Sequence, residues 1–142
     1  MAARSALLLL LVLLGPLPAL TQRETRHEKF RRQHVDFPKT SSTDDRRYCN
    51  LMMQRRGMTT TACKPSNTFI HGDSADVDAI CSHGGTFYNE NYYDSTGYFE
   101  VTACRITGDS QRAPCNYRPR ASTQRVRVAC VGGVPIHFKG YA

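Results

Sequence analysis

The sequence predicts an α+β domain: a small, disulfide-stapled fold in which helices come first and antiparallel strands follow. Three observations carry that expectation. Helical periodicity is confined to the first half of the chain, alternation rich in Tyr, Thr, Val and Phe begins at Thr86, and six cysteines are spread over both halves. Helices and strands segregated along the chain belong to α+β rather than to doubly wound architectures. At 142 residues, with 19 basic and 12 acidic side chains and a formal charge of +7, the chain suffices for one basic domain.

The N-terminal segment is set apart from that domain. Arg4 precedes an unbroken apolar run from Ala6 to Leu14, closed by Gly15, Pro16 and Pro18. The run is shorter than the roughly 20 residues a helix needs to cross a bilayer. A charged start, a short apolar centre and a small-residue exit form a secretory signal peptide over residues 1–21, with cleavage expected between Ala19 and Gln22. Residues 22–142 are then expected to form a single secreted domain with no transmembrane segment.

Between Gln22 and Phe37, the positions of Phe30, Val35 and Phe37 among charges suit one face of a first helix, which Pro38 stops. Asp44 and Asp45 supply the acidic start of a second helix. Tyr48, Leu51 and Met52 share its apolar face, Arg55 and Arg56 fill its last turn, and Gly57 ends it. A third, short helix is expected from Asp73 to Cys81, where Val77 recurs with Ile80 and Cys81 at helical spacing. From Thr86 onward, alternation in Tyr98–Thr102 and Arg125–Val128, punctuated by Gly and Pro, reads as antiparallel sheet.

Cys49, Cys63, Cys81, Cys104, Cys115 and Cys130 would all reach an oxidising compartment, so three disulfides are expected; spacing leaves about 15 pairings open. Each bridge is typically worth about 2–4 kcal/mol, a large share of a small domain's stability. A zinc site would need clustered ligands, but there is no CxxC pair and the histidines lie apart from the cysteines, so no metal and no cofactor is expected. The excess of positive charge favours polyanions: RNA phosphates, or equally heparan and acidic membranes.

Three separated segments sharpen the choice. Lys29-Phe30-Arg31-Arg32-Gln33-His34-Val35-Asp36, Cys63-Lys64-Pro65-Ser66-Asn67-Thr68-Phe69 and Val134-Pro135-Ile136-His137-Phe138 resemble the three active-site segments of the pancreatic-type ribonuclease superfamily. The likeness spans residues 22–142 and includes the order and spacing of the cysteines. Six cysteines rather than eight, and His34-Val35-Asp36-Phe37-Pro38-Lys39-Thr40, are most similar to the angiogenins of non-mammalian vertebrates. The resemblance implies bridges Cys49–Cys104, Cys63–Cys115 and Cys81–Cys130, and three helices around a V-shaped antiparallel sheet with an RNA cleft. It also implies cleavage of single-stranded RNA or tRNA after pyrimidines through a 2′,3′-cyclic phosphate. A ribonuclease inhibitor and a heparan or cell-surface receptor are implied partners of a monomer, with uptake to the nucleus or nucleolus.

Chemistry makes the implied roles coherent. Cleaving RNA without a metal needs a base for the 2′-hydroxyl, an acid for the departing 5′-oxygen and a cation for the charge at phosphorus. His34 would be the base, His137 the acid and Lys64 the cation. Gln33 would touch the phosphate, Asn67 would join the substrate-binding residues, Thr68 would read the pyrimidine with an amide and a hydroxyl, and Phe138 would flank it. Each has a bland counterpart: a polar helix end for Gln33 and His34, solvated surface for Lys64, a strand threonine for Thr68 and core packing for Phe138. His27, His71 and His83 read as surface residues.

Several positions depart from the family pattern. With no fourth disulfide, the loop from Ser82 to Thr96 must be held by other means. Ala103 stands where an Asp usually supports the pyrimidine-reading threonine, Lys139 where an Asp usually backs the C-terminal histidine, and Val131 where an acid is usual near the second base site. Gly140 replaces a glutamine that obstructs the pocket in some angiogenins, which leaves the pocket open. The rival reading is a basic binding, host-defence or signalling protein with vestigial catalysis. Arg31, Arg32, Arg55, Arg56, Arg118, Arg120, Arg125 and Arg127 would then do the binding. Arg55-Arg56-Gly57 resembles an angiogenin segment linked to nuclear uptake, and equally reads as a helix C-terminus.

Overall fold

The first helix is short because a tertiary contact ends it. The computed structural model describes residues 23–108 and 111–142; the expected signal segment, with Gln22, lies outside the described residues. Helix α1 (Arg26–His34) starts with a capping box: Thr25 Oγ1 accepts from the Glu28 amide at 3.0 Å, and Glu28 Oε1 accepts from the Thr25 amide at 2.7 Å. It stops before Val35, which is extended and bridges to Ile70. Phe37 consequently lies outside the helix and exposed, not on a buried helical face as the spacing suggested.

Helix α2 (Asp45–Arg55) begins where the acidic pair placed it, with Asp44 Oδ1 accepting from the Arg47 amide at 2.8 Å. Tyr48, Cys49, Met52 and Met53 form its buried face. The next element corrects the expected helices-then-strands order. Residues Ser66–Ile70 form strand β1, before the third helix. Only five residues long, and carrying Ser66, Asn67 and Thr68, it lacks the apolar alternation by which a strand is recognised. Helix α3 (Ser74–Asp78) and the 3-10 turn Ala79–Cys81 then follow, with Asp73 as N-cap.

The remaining strands are β2 (Gly85–Asn89), β3 (Tyr92–Ser95), β4 (Phe99–Ile106), β5 (Tyr117–Gln124), β6 (Val126–Val131) and β7 (Val134–Tyr141). They build two antiparallel sheets, ordered β1-β4-β5 and β2-β3-β6-β7. One core cluster, with Phe30, Ile70, Val77, Ile80, Val101, Val126 and Val128, joins α1 and α3 to both sheets. The other packs α2 on the three-stranded sheet through Tyr48, Met52, Met53, Phe69 and Tyr117. Three disulfides, Cys49–Cys104, Cys63–Cys115 and Cys81–Cys130, lock these layers in the pairing the resemblance implied. The Ser82–Thr96 region is held by the β2–β3 ladder, and the Arg127 guanidinium both covers the Tyr88 ring at 3.5 Å and pairs with Asp94 at 2.6 Å.

Directly after α1, Asp36 is buried at 4% exposure. Its amide donates to the Ile70 carbonyl at 3.0 Å. Its carboxylate accepts from the Thr40 amide at 3.0 Å, the Thr40 hydroxyl at 2.8 Å, the Tyr48 hydroxyl at 2.6 Å and the Arg56 guanidinium at 3.3 Å. Burial opposes its ionisation, but the donors from Thr40 and Tyr48 and the charge of Arg56 together hold it below the ordinary carboxylate range. Arg56, the C-cap of α2, also donates to the carbonyls of Arg32 and Val35 at 2.7 and 2.9 Å. It closes the C-terminus of α1, whereas the sequence placed it only as a cation in the last turn of its own helix.

Removing the Tyr48 hydroxyl leaves the buried carboxylate one donor short. Tyr48→Phe should therefore lower the urea-unfolding free energy by about 1.5–3 kcal/mol, the range for hydrogen bonds to charged groups, with the m-value unchanged. A loss within error would show that Asp36 is solvated instead.

Candidate active site

A cavity of about 710 Å³ opens between α1, β1 and β7, lined by Gln33, His34, Lys64, Asn67, Thr68, His137 and Phe138 among others. All seven catalytic and substrate-binding residues expected from the sequence thus meet in one place. The last turn of α1 supplies Gln33 and His34, the approach to β1 supplies Lys64, β1 supplies Asn67 and Thr68, and β7 supplies His137 and Phe138.

His34 is 7% exposed, and its Nδ1 lies 2.8 Å from the Thr68 carbonyl oxygen. A carbonyl only accepts, so Nδ1 carries the proton and Nε2 keeps the lone pair. Burial is the main force pushing this imidazole down, to about 4; Lys64 and His137 push the same way and the Thr68 bond opposes them. A neutral ring with a free Nε2 is the form a proton acceptor requires. The Phe138 ring stacks on it with centroids 5.3 Å apart. His137, by contrast, is exposed on β7.

Lys64 Nζ donates to Asn67 Oδ1 at 3.0 Å and Gln33 Oε1 at 3.4 Å, while Asn67 Nδ2 donates to the Gln33 carbonyl at 2.7 Å. No carboxylate among the described residues pairs with this ammonium. Burial is the principal cause of its lowered pKa, and Lys29 and Arg32 add repulsion. Its positive charge is therefore held by neutral oxygens and remains available to an anion in the cavity. Arg26 and Lys29 also line the cleft and were not singled out from the sequence. Their place four and seven residues before Gln33, on one face of a helix, was the available signal.

The other histidines divide differently from the surface reading. His83 is exposed. His71 is not: its side chain is 7% exposed, Nδ1 donates to the Asp36 carbonyl at 2.9 Å and Nε2 accepts from the Thr102 hydroxyl at 2.8 Å. Burial depresses its pKa most, against the Asp36 contact. His27 is partly buried, donating from Nδ1 to the Pro135 carbonyl at 2.9 Å and so tying α1 to β7. Ala103 sits directly opposite Thr68 in the β1–β4 ladder. The Lys139 ammonium lies over the Tyr92 ring, 5.3 Å from its centroid.

His34 and His71 both stay neutral when folded at a pH where an unfolded histidine, with a pKa near 6.5, takes up a proton. Stability should accordingly fall as pH drops from about 6.5 towards 4, with up to about one proton taken up on unfolding for each ring. Asp36 acts in a separate window, stabilising above the ordinary Asp range and failing only below it. Urea unfolding across this range checks the slope, and His34→Gln should reduce it; an unchanged slope would mean His34 is protonated in the folded protein.

Comparison with known proteins agrees with the geometry. Residues 25–139 match the pancreatic ribonuclease family. A ribonuclease of Chelonia mydas is 56% identical over 115 residues, covering 81% of this chain and 97% of that protein. Angiogenin of Mus musculus is 46% identical over 121 residues, covering 85% of this chain and 81% of its own. The crystal structure of green turtle egg white ribonuclease superposes with a TM-score of 0.82 at 54% identity, over 84% of this chain and 100% of that one. With its cleft, its bridges and these relatives in agreement, the chain belongs to the pancreatic ribonuclease family.

Proposed function

We propose that the protein is a secreted endoribonuclease that cleaves single-stranded RNA, tRNA included, on the 3′ side of pyrimidines by general acid–base transphosphorylation. The observation that carries this is the buried, neutral His34, whose Nδ1–H is spent on the Thr68 carbonyl and whose Nε2 is left as a base. In the first step Nε2 takes the 2′-hydroxyl proton as the 2′-oxygen attacks phosphorus. His137 gives a proton to the departing 5′-oxygen, which leaves a 2′,3′-cyclic phosphate. Lys64, with Gln33 beside it, meets the charge that grows on the phosphoryl oxygens. Water can then open the cyclic phosphate with the two histidines in exchanged roles.

Thr68 would read the base with its amide and hydroxyl, a donor plus a group of either polarity that suits both uracil and cytosine. Phe138 flanks that place, and its stacking on His34 supports both roles at once. The rival reading, binding with vestigial catalysis, loses four of the eight arginines it needs to partners within the fold. Arg31 pairs with Asp78, Arg32 with Glu24, Arg56 with Asp36 and Arg127 with Asp94. The likeness to an angiogenin supports RNA processing of that kind as the biological setting.

His34→Ala and His137→Ala should each lower cleavage of a pyrimidine-containing RNA by at least about 100-fold, as general acid–base groups typically contribute 10²–10⁴. Lys64→Ala should be comparable. The triple variant should lose far less than the product of the three, because the groups act as one unit. Purified protein beside His137→Ala on tRNA makes the decisive comparison: equal cleavage by both, or none by either, would sink the proposed reaction.

A further inference from the structure

Strand β7 breaks its own alternation, and the break decides what stands beside Phe138. Side chains three apart on a regular strand point to opposite faces, so Tyr141 would turn away from Phe138. Pairing with β6 gives the opposite result. Val128 faces Phe138, Arg127 faces Gly140 and Val126 faces Tyr141, which leaves Lys139 as an extra residue with no partner on β6. This one-residue bulge lies on an edge strand and carries Tyr141 round to the face of Phe138. Gly140 makes the bulge possible: its φ of +152° is rarely adopted by a residue with a side chain, although nothing lies within 4 Å of where a Cβ would stand. The glycine serves the backbone, not a close approach. Beyond it, the Ala142 amide fastens the strand end by donating to the Arg125 carbonyl at 3.0 Å.

The bulge completes a line of rings that runs from the core to the surface. Phe30, 1% exposed, meets His34 with centroids 5.1 Å apart, and Phe138 stacks on the other side of that imidazole at 5.3 Å. Tyr141 then meets Phe138 edge-on, at 6.3 Å and 79° between planes, an arrangement that aromatic pairs favour. The core fixes Phe30. Phe138 is only partly buried, on the wall of the cavity, and among the described residues Tyr141 is the one ring besides His34 that it touches. The Tyr141 hydroxyl makes no hydrogen bond among the described residues, so its contact is made by the ring alone.

We infer that Tyr141 is a positioning residue: through the bulge at Lys139 and Gly140 its ring braces Phe138 against His34, keeping that imidazole sheltered and its Nε2 aimed into the cleft. The role rests on the proposed reaction, in which His34 is the base. Shelter is what that base depends on. Burial is the main force holding His34 at about 4; Lys64 and His137 add repulsion, and the Thr68 carbonyl opposes them. The other charged groups lining the cavity, Arg26, Lys29 and Lys139, are cations as well, and no carboxylate lines it. Releasing Phe138 admits water to the ring and favours the imidazolium, so the base is lost at a higher pH.

Tyr141→Ala, Tyr141→Phe and Gly140→Ala are compared with the parent protein by nuclear magnetic resonance titration of the His34 ring, and by cleavage of pyrimidine–adenosine dinucleotides across pH. In Tyr141→Ala the His34 titration and the acidic limb of kcat/KM should both move up by about half a unit or more. At neutral pH kcat should fall about tenfold, less than the roughly 10²-fold cost of a full 1 Å misplacement, while KM stays within about twofold. Tyr141→Phe keeps the ring and should restore both. Gly140→Ala strains the bulge with Tyr141 still in the chain, and should shift both readouts in the same direction by less. If the parent cleaves neither dinucleotide, the proposed reaction fails, and the ring titration alone still decides the brace. An unmoved His34 titration in Tyr141→Ala would overturn the inference. So would equal losses in Tyr141→Phe and Tyr141→Ala, which assign the effect to the hydroxyl, or an altered preference between uridine and cytidine with the acidic limb unmoved, which puts Tyr141 on the base itself.

Discussion

One buried carboxylate governs where His34, the proposed base, stands. Asp36 follows α1 by a single residue, and its side chain gathers Thr40, the Tyr48 hydroxyl of α2 and the Arg56 guanidinium. Its backbone is fastened too, donating to Ile70 and accepting from His71. The end of α1 therefore cannot rotate or slide without breaking contacts to α2 and β1 together. His34 lies two residues before this junction, and the bridge Val35–Ile70 carries the same constraint through the intervening residue. The His34–Thr68 bond is a consequence of that clamp. A buried ion pair is weak evidence for stability, because desolvation offsets the attraction. Here its effect is on position: donors converging from helix and loop permit one arrangement of the His34 ring against β1.

Charge is distributed with a similar economy. Arg31 and Arg32 on α1 and Arg127 on β6 are neutralised within the fold by Asp78, Glu24 and Asp94. Lys64 is not; it is partly buried, surrounded by Lys29 and Arg32, and held by amide oxygens. Field in a half-buried site is screened less than on open surface. The uncompensated positive potential is thus concentrated in the cleft, where an anion gains most from it.

What the sequence revealed follows the range of the forces involved. Helix α2 was legible from end to end because its Asp44 cap, buried face and basic last turn are all local. The seven residues expected to form a site were legible as a set because they lie in three short segments, and all seven line one cavity. Strand β1 escaped because Asn67 and Thr68 face partners in other elements, so its five residues carry no strand pattern of their own. The end of α1 was misplaced for the same reason: it is decided by Ile70, remote in sequence. His71 looked like surface because nothing near it in the chain forecasts Asp36 and Thr102 as partners. Arg56 was read as a last-turn cation of its own helix; that its guanidinium closes the other helix is a tertiary fact.

The departures from the family pattern acquire physical content from the same geometry. At Ala103 the loss of a carboxylate removes an acceptor beside Thr68 and also a negative charge from the row that leads to Arg120. An Asp there would face the Arg120 guanidinium across one strand spacing and offset its charge. A methyl offsets nothing. At Lys139 the substitution is absorbed in a different way, since the ammonium rests over the Tyr92 ring on the neighbouring part of the four-stranded sheet. A cation held by an aromatic face retains its full charge, for the ring offers a quadrupole rather than a counter-ion. Both changes leave the rim of the cleft more positive than carboxylates would, one by removing an anion and the other by replacing it with a cation. Affinity for the polyanion then depends more on the rim and less on hydrogen-bonded support behind Thr68 and His137.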